Sequence, residues 1–489
     1  DVIPGAGMDY SALMWVLLFL TVVTFLTVSV LLILSRVELR RQRRGADRAD
    51  EAGYLWVYLV PALNEEVTIG DSVRRLVDVQ ATHKLIVVID DASDDQTPVI
   101  LARIAAEVPD LRVLRRELPN GRKGKSAGLD NAWQFLHDEV LAEARYAHWP
   151  TERVIVAVVD ADGRILPDAP GVLAGVFGDD RVGGCQCLVR IYNRGRFLTW
   201  AQDVEFGVTA YAYQLGRSAL GTANMGGNSQ YMRLKTLDDI AVTDGLPDGI
   251  SQGPWRDRLT EDQDIGVRAL QAGWRGAHTV ATSVDQQGVT SVRRLFRQRV
   301  RWAQGAWQCV PLLRGVGRVR TSAFGTFDHV VYLVMPVIEF LLGFGFTLSL
   351  VLWATGAVPY FAAWWPAVVF FLLIGLFPSY VALVAAFGGG LRSWLLAVVA
   401  LLPYIAYTWL IWPSVPLSLA RELFGIRGWA KTVREPLDAN LPKGIVVEPG
   451  PAALADGRAG EVAGQQQDHR EVEPRSEPRR RAGGGPAGP

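Results

Sequence analysis

The sequence predicts an α/β domain built on a mostly parallel sheet, combined with an α-helical transmembrane region and amphipathic interface helices. Three observations carry this reading. Short, nearly continuous Val, Ile and Leu runs alternate with helical segments between residues 54 and 290, as strands buried on both faces of a parallel sheet require. Long apolar stretches lie outside that region, one before it and three after it. Between the two textures runs a segment in which arginines interleave with apolar residues, the pattern of a helix resting on an anionic membrane surface.

The first element, residues 1–36, reads as a membrane anchor. Residues 13–34 form an apolar run that, at about 1.5 Å per residue, crosses a hydrocarbon core of about 30 Å. No Lys or Arg precedes it, unlike the start of a cleaved signal peptide. Arg36, Arg40, Arg41, Arg43, Arg44 and Arg48 follow directly. The positive-inside rule therefore places this basic linker (37–53), and the domain after it, in the cytoplasm, with the plasma membrane as the expected location of a multi-pass chain.

Residues 54–290 make the α/β domain. Strands are expected at 55–60, 84–89 and 153–159, and helices at 67–79 and 97–106. Ligands of such sheets bind beyond the carboxyl ends of the strands, where this sequence places its polar clusters. Pro61, Asn64 and Glu65 follow the first strand, Asp90 and Asp91 the second, and Asp160-Ala161-Asp162 the third. Turns and helix caps account for the first two clusters taken singly. Two carboxylates one residue apart can reach a single hard cation, Mg²⁺ or Mn²⁺, which in turn neutralises a diphosphate. Lys125 stands on a Gly-containing basic loop suited to phosphate, though a solvated turn fits it equally. Thr260-Glu261-Asp262 opens a helix, where Thr260 would cap and the acids would suit the helix dipole.

The amphipathic segment, 291–322, carries Gln298, Arg301 and Trp302 at i, i+3 and i+4, hence on one helical face. A transmembrane region (323–420) holds apolar stretches at about 329–352, 362–388 and 394–418, with a turn conceivable near Pro336 or Gly343. Glu339 lies inside the first stretch and is expected to border a glycan path or to be locally paired. Trp364, Trp365, Tyr404, Tyr407, Trp409 and Trp412 fit an interfacial aromatic belt or a sugar-lined channel. A second amphipathic segment (421–446) and a disordered tail (447–489) complete the chain. Three crossings after the α/β domain would carry Arg421, Arg427, Lys431 and Arg434 to the outer side, so an even number is expected.

Lys plus Arg equals Asp plus Glu at 50 each, which argues against a nucleic-acid partner. The three cysteines, Cys185, Cys187 and Cys309, fit neither a zinc site nor a disulfide framework and are expected to be buried thiols.

The ordered set Asp90-Asp91, Asp160-x-Asp162, Thr260-Glu261-Asp262 and Gln298-x-x-Arg301-Trp302 resembles the processive family 2 glycosyltransferases, the group that includes cellulose, chitin and hyaluronan synthases. The resemblance covers residues 54 to about 310 and implies a nucleotide-sugar-binding domain of GT-A type, a UDP-sugar donor, and a glycan or glycolipid acceptor. It implies that Asp90 or Asp91 binds the uridine, with Pro61, Asn64 and Glu65 on the same donor side. Asp162, with Asp160, would hold the metal, and Lys125 would face the phosphates. Asp262 would be the general base beside Glu261. Gln298 and Arg301 would stabilise the departing diphosphate, Trp302 would stack under the acceptor, and Gly227 and Asn228 would shape the acceptor pocket. One base and one charge-neutralised leaving group describe direct displacement, so inversion is expected. Elongation of a β-linked polysaccharide, with or without its translocation, is the leading reading. Single transfer to a lipid and a non-catalytic nucleotide-binding scaffold or transporter are its rivals. Leu129-Asp130-Asn131 departs from the family's pattern after the Lys/Gly loop, and no regulatory domain is expected after the membrane region.

Overall fold

A computed structural model of the protein describes residues 11–44, 49–242, 253–355 and 365–426. Expectations for residues 1–10, Arg48, Trp364, 427–446 and the tail 447–489 lie outside the described residues.

The chain opens with helix α1 (Ser11–Arg44), then alternates β1 (Leu55–Ala62), α2 (Ile69–Val77), β2 (Lys84–Asp91), α3 (Thr97–Glu107) and β3 (Leu111–Arg116). Helix α4 (Lys125–Asp138) leads to β4 (Val154–Val158), the short β5 (Arg164–Ile165), α5 (Ala169–Phe177) and β6 (Val182–Ile191). Helix α6 (Phe197–Val208) runs through a π-helical turn, Thr209–Gln214, into α7 (Leu215–Leu220). After β7 (Gln230–Arg233) come α8 (Leu234–Ile240), α9 (Glu261–Gln271) and β8 (Arg275–Gln286). The strands form one eight-stranded sheet in the order β3-β2-β1-β4-β7-β6-β8-β5. Its first four strands are parallel, while β7 pairs antiparallel with both β4 and β6.

The parallel half explains the apolar runs. Every residue of β4 is buried, and in β1 and β2 the single partly exposed residues are Pro61 and Lys84. Alternate side chains enter two separate cores: Trp56, Tyr58 and Val60 pack with α2, α3 and α5, while Leu55, Val57 and Leu59 pack with α4 and α8. Burying each such side chain contributes about 1.5–3 kcal/mol. The same alternation settles the Cys-x-Cys pair. Cys185 and Cys187 enter the first core as free thiols, and burial pushes the Cys187 thiol up to about 12.

Helix α10 (Val292–Cys309) and a 3₁₀ stretch, Val310–Arg318, occupy the predicted amphipathic segment. Helices α11 (Ala323–Ala354), α12 (Trp365–Ala386), α13 (Leu391–Ile411) and α14 (Ser414–Leu423) follow. No turn interrupts α11: it is helical through Pro336 and Gly343. Pro378 and Pro403 likewise sit inside helices, as membrane helices tolerate. Among the described residues, three helical stretches are long and apolar enough to cross a membrane, Trp15–Arg44, Ala323–Leu352 and Leu391–Leu423. Leu376–Ala386 is a shorter apolar helix.

The membrane helices grip the α/β domain. Gln42 at the end of α1 donates to the His278 carbonyl at 2.7 Å. Arg217 and Asp328 form a buried two-bond ion pair at 2.8 and 3.1 Å between α7 and α11. Asn224 donates to the Tyr332 hydroxyl, fixing the loop that leads to Gly226 and Gly227.

Candidate active site

The site forms where β4, the loop before β7, α4 and α9 converge. Asp160 follows β4, Lys125 opens α4, and Glu261 and Asp262 open α9. Lys125 Nζ lies 2.9 Å from Asp160 Oδ1 and 3.2 Å from Glu261 Oε1, bridging the two acids. Burial works against the Lys125 charge, but Asp160, Glu261 and Asp262 together more than offset it and hold the ammonium above its usual range. The Asp262 carboxyl goes the other way. Burial, reinforced by the Glu261 charge, pushes it up to about 7, and Lys125 and Arg301 oppose that rise only in part.

The loop Gly226–Ser229 closes on the same carboxylate. Gly227 has φ +79°, and a Cβ there would stand 2.8 Å from Asp262 Oδ2. Only glycine meets both conditions without strain. Gln186 holds this loop, accepting from the Gly226 backbone N–H at 2.9 Å and donating to the Asn228 carbonyl at 2.7 Å. Asn228 Oδ1 accepts from the Asp160 backbone N–H at 3.2 Å, so the loop and the Asp160-x-Asp162 turn are tied together.

Asp162 is buried and accepts from the Gln287 backbone N–H at 3.1 Å. Among the described residues no group of three or more His, Cys, Asp or Glu side chains is arranged to hold a metal. A hard divalent cation that binds through one or two carboxylates and takes its remaining oxygens from substrate phosphates and water needs no such group, so the Asp160 and Asp162 donor set fits one.

The second acid cluster has a different fate. Asp90 pairs with Arg115 and accepts from the Ser93 backbone N–H at 3.0 Å. Asp91 pairs with Arg116 at 2.6 Å and accepts from the Arg122 backbone N–H at 2.9 Å. Both arginines come from β3, whose register sets Arg115 beside Asp90 and Arg116 beside Asp91. Pro61 lies in β1. Asn64, in a left-handed conformation at φ 54°, and Glu65 bind the loop after β2: Asn64 Nδ2 donates to Asp94 at 2.6 Å, and the Glu65 N–H donates to Thr97 Oγ1 at 2.8 Å. These residues hold two strand ends together.

Helix α10 flanks α9. Arg301 Nη1 donates to the Leu259 carbonyl at 3.1 Å, three residues before Asp262. The expected Thr260 side-chain cap does not form; its hydroxyl packs where a Cβ at Gly305 would collide with it. Gln298 Oε1 is buried without a hydrogen-bond partner among the described residues. Trp302 stands against Phe206, with ring centroids 6.3 Å apart. Glu339 is on α11, where its backbone carbonyl accepts from Trp412 Nε1 at 3.2 Å. The structure thus gathers Lys125, Asp160, Glu261, Asp262, Gly227 and Arg301 into one cluster, and commits Asp90 and Asp91 to arginine partners. Gln186 and Arg116 are missing from the sequence expectations. A lone glutamine between two cysteines, and arginines in an edge strand, give no distinctive signal.

Residues 56–305, half of the chain, match the family model described as "Glycosyltransferase like family 2". Over 254 residues the chain is 30% identical to beta-monoglucosyldiacylglycerol synthase of Synechocystis sp., covering 51% of this chain and 47% of that protein. Over 250 residues it is 23% identical to poly-beta-1,6-N-acetyl-D-glucosamine synthase of Staphylococcus aureus, covering 51% and 53%. The chain spans about half the length of these curated relatives. Among solved structures, the mannosyltransferase PcManGT from Pyrobaculum calidifontis, in complex with GDP-Man and Mn²⁺, is similar with a TM-score of 0.47 and 18% identity, over 82% of this chain and 100% of that one.

Proposed function

The chain belongs to the family 2 glycosyltransferases, and on that premise we propose that it transfers a hexosyl unit from a UDP-sugar, with inversion, to a hydroxyl of an acceptor held at the membrane face. One observation supports this reading: Asp262, a half-buried carboxylate raised to about 7, stands beside the Lys125 ammonium, which bridges Asp160 and Glu261. A base of that pKa is suited to accept a hydroxyl proton near neutral pH. Lys125 and Arg301 offset negative charge as the diphosphate departs. Asp160 and Asp162 would hold Mg²⁺ or Mn²⁺, whose charge would neutralise the donor diphosphate. Direct displacement requires one base and no second carboxylate as nucleophile, so an α-linked donor would give a β-linkage. Asp90 and Asp91, with Pro61, Asn64 and Glu65, form the uridine side; Gly227, Asn228 and Trp302 form the acceptor side, and Gln298 faces the diphosphate with Arg301.

One packing contact supports a topology. Helix α14 binds α10 through Glu422, which accepts from Gln304 and Gln308 at 3.0 Å each, and through Ser418, which accepts from Trp307 at 3.1 Å. A chain that leaves the membrane face after α10 and returns to it at α14 crosses an even number of times. With the arginines after α1, this supports a multi-pass protein of the plasma membrane with its catalytic domain in the cytoplasm.

Two acceptors fit. Repeated addition to a β-linked glycan extends the resemblance to the polysaccharide synthases, and translocation of the product would accompany it. Single transfer to a lipid is favoured by the Synechocystis relative, which is named for a glucosyl lipid and is closer in identity than the Staphylococcus one. Membranes containing the protein, supplied in turn with radiolabelled UDP-sugars and Mn²⁺ or Mg²⁺, are expected to release UDP and incorporate label. A ladder of products selects elongation, one labelled lipid selects single transfer, and absence of incorporation with every donor contradicts the function.

A further inference from the structure

Glu205 on α6 lies between two other elements. Its Oε2 accepts from Arg299 Nη2 of α10 and from the Tyr407 hydroxyl of α13, the latter at 2.7 Å. Arg299 Nη2 also reaches the Tyr407 oxygen at 3.1 Å. The Arg299 side chain is 5% exposed and Glu205 24%. Arg299 Nε and Nη1 have no hydrogen-bond partner among the described residues. Its guanidinium carbon lies 4.1 Å from the centroid of the Trp302 ring, so the cation covers one face of that indole. Phe206, adjacent to Glu205, meets the same ring at 67°.

Helix α6 therefore reaches Trp302 twice, directly through Phe206 and indirectly through Glu205 and Arg299. Arg299 and Trp302 are three residues apart and share a side of α10, so fixing one restrains the other. A guanidinium this buried stays only while a carboxylate balances it. A flat ring that stacks a sugar works only if its plane is held, because small displacements at such contacts are costly.

We propose that Glu205, Arg299 and Tyr407 are positioning residues that set the plane of Trp302, so that acceptor capture depends on how α13 seats against the catalytic domain. This rests on the reading of Trp302 as the acceptor platform. The cluster moves no proton and contacts no donor; it acts through the indole. Tyr407 is the link that carries the state of the membrane helix to the site.

The test uses the full chain in lipid nanodiscs, with the UDP-sugar that supports UDP release as donor and an octyl β-glycoside as acceptor. Acceptor KM is read from transfer, and donor hydrolysis from UDP release without acceptor. Glu205→Ala is expected to raise acceptor KM about tenfold or more while donor hydrolysis stays at the parental rate. Glu205→Gln, which keeps an oxygen for Tyr407 and Arg299, is expected to fall between the two. Tyr407→Phe is expected to raise acceptor KM about fivefold. If Glu205→Ala alone misfolds, Glu205→Ala with Arg299→Met removes both buried charges and is expected to fold yet keep the raised KM. A parental KM in that double variant, or parallel loss of transfer and hydrolysis in Glu205→Ala, overturns the proposal. Trp302→Ala separates the layers. Transfer falling more than hydrolysis keeps the platform reading, even where the Glu205 variants fail; equal losses, or no saturable use of the glycoside by the parent, remove the platform itself.

Discussion

Two acid clusters at neighbouring strand ends look alike as sequence and behave differently as structure. Asp90 and Asp91 each meet one arginine, Arg115 and Arg116, delivered by the register of the adjacent strand. Around Lys125, by contrast, three carboxylates, Asp160, Glu261 and Asp262, share one ammonium. Matched charges neutralise each other and fix the loops they join. Burial, reinforced by the neighbouring Glu261 charge, leaves one carboxyl poorly stabilised as an anion, which is why Asp262 rises to about 7 while remaining beside a cation. The acid surplus leaves room for the further positive charge that a donor's divalent ion brings. The two clusters therefore differ in burial and in the ratio of acids to cations, not in the acids alone.

Substitutions that break the surplus should affect chemistry, and those that break the matched pairs should affect folding. The largest expected effect is from Asp262→Asn, which removes the base and lowers transfer by about 10²–10⁴-fold, with donor affinity, measured by UDP-sugar titration, largely retained. Next is Gly227→Ala, whose methyl group would crowd Asp262 at a positive φ; a fall in kcat of about 10–100-fold is expected with little change in donor affinity. Asp162→Ala is expected to weaken Mn²⁺-dependent donor binding by about tenfold, read by calorimetry with and without the ion. Affinity that stays constant in both conditions contradicts the metal assignment. Arg116→Met, which leaves Asp91 buried and unpaired, is expected to cost about 3–5 kcal/mol of stability in denaturant unfolding of the membrane-reconstituted protein, with its smallest effect on kcat.

The parallel half of the fold was legible because burial on both faces forces unbroken Val and Ile runs, as in 84–89 and 153–159. β6 was not legible, since it contains Gly183, Gly184, Cys185, Gln186 and Cys187 and its alternation serves two different surroundings. Pro336 was weighed as a turn and lies inside α11, because a proline does not by itself end a helix that neighbouring helices enclose. At the site, the residues that the structure clusters around Lys125 lie in short motifs and could be named in advance. Their partners could not. Glu205 and Arg299 are 94 positions apart, and Arg299 and Tyr407 are 108 apart, so no local spacing announces them. Likewise, nothing in Asp90-Asp91 or Asp160-x-Asp162 alone says which cluster will meet arginines, because that depends on strand register.

The central claim is that burial, together with the acid surplus around Lys125, makes Asp262 a base working near neutrality. Its most direct test is the pH dependence of kcat/KM for sugar transfer between pH 5 and 9, with the donor supplied below saturation. A base raised to about 7 is protonated and inactive below that value, so the rate should climb tenfold per pH unit at low pH and level off above about 7. A profile already flat from pH 5, or an Asp262→Asn enzyme that turns over normally, would contradict it.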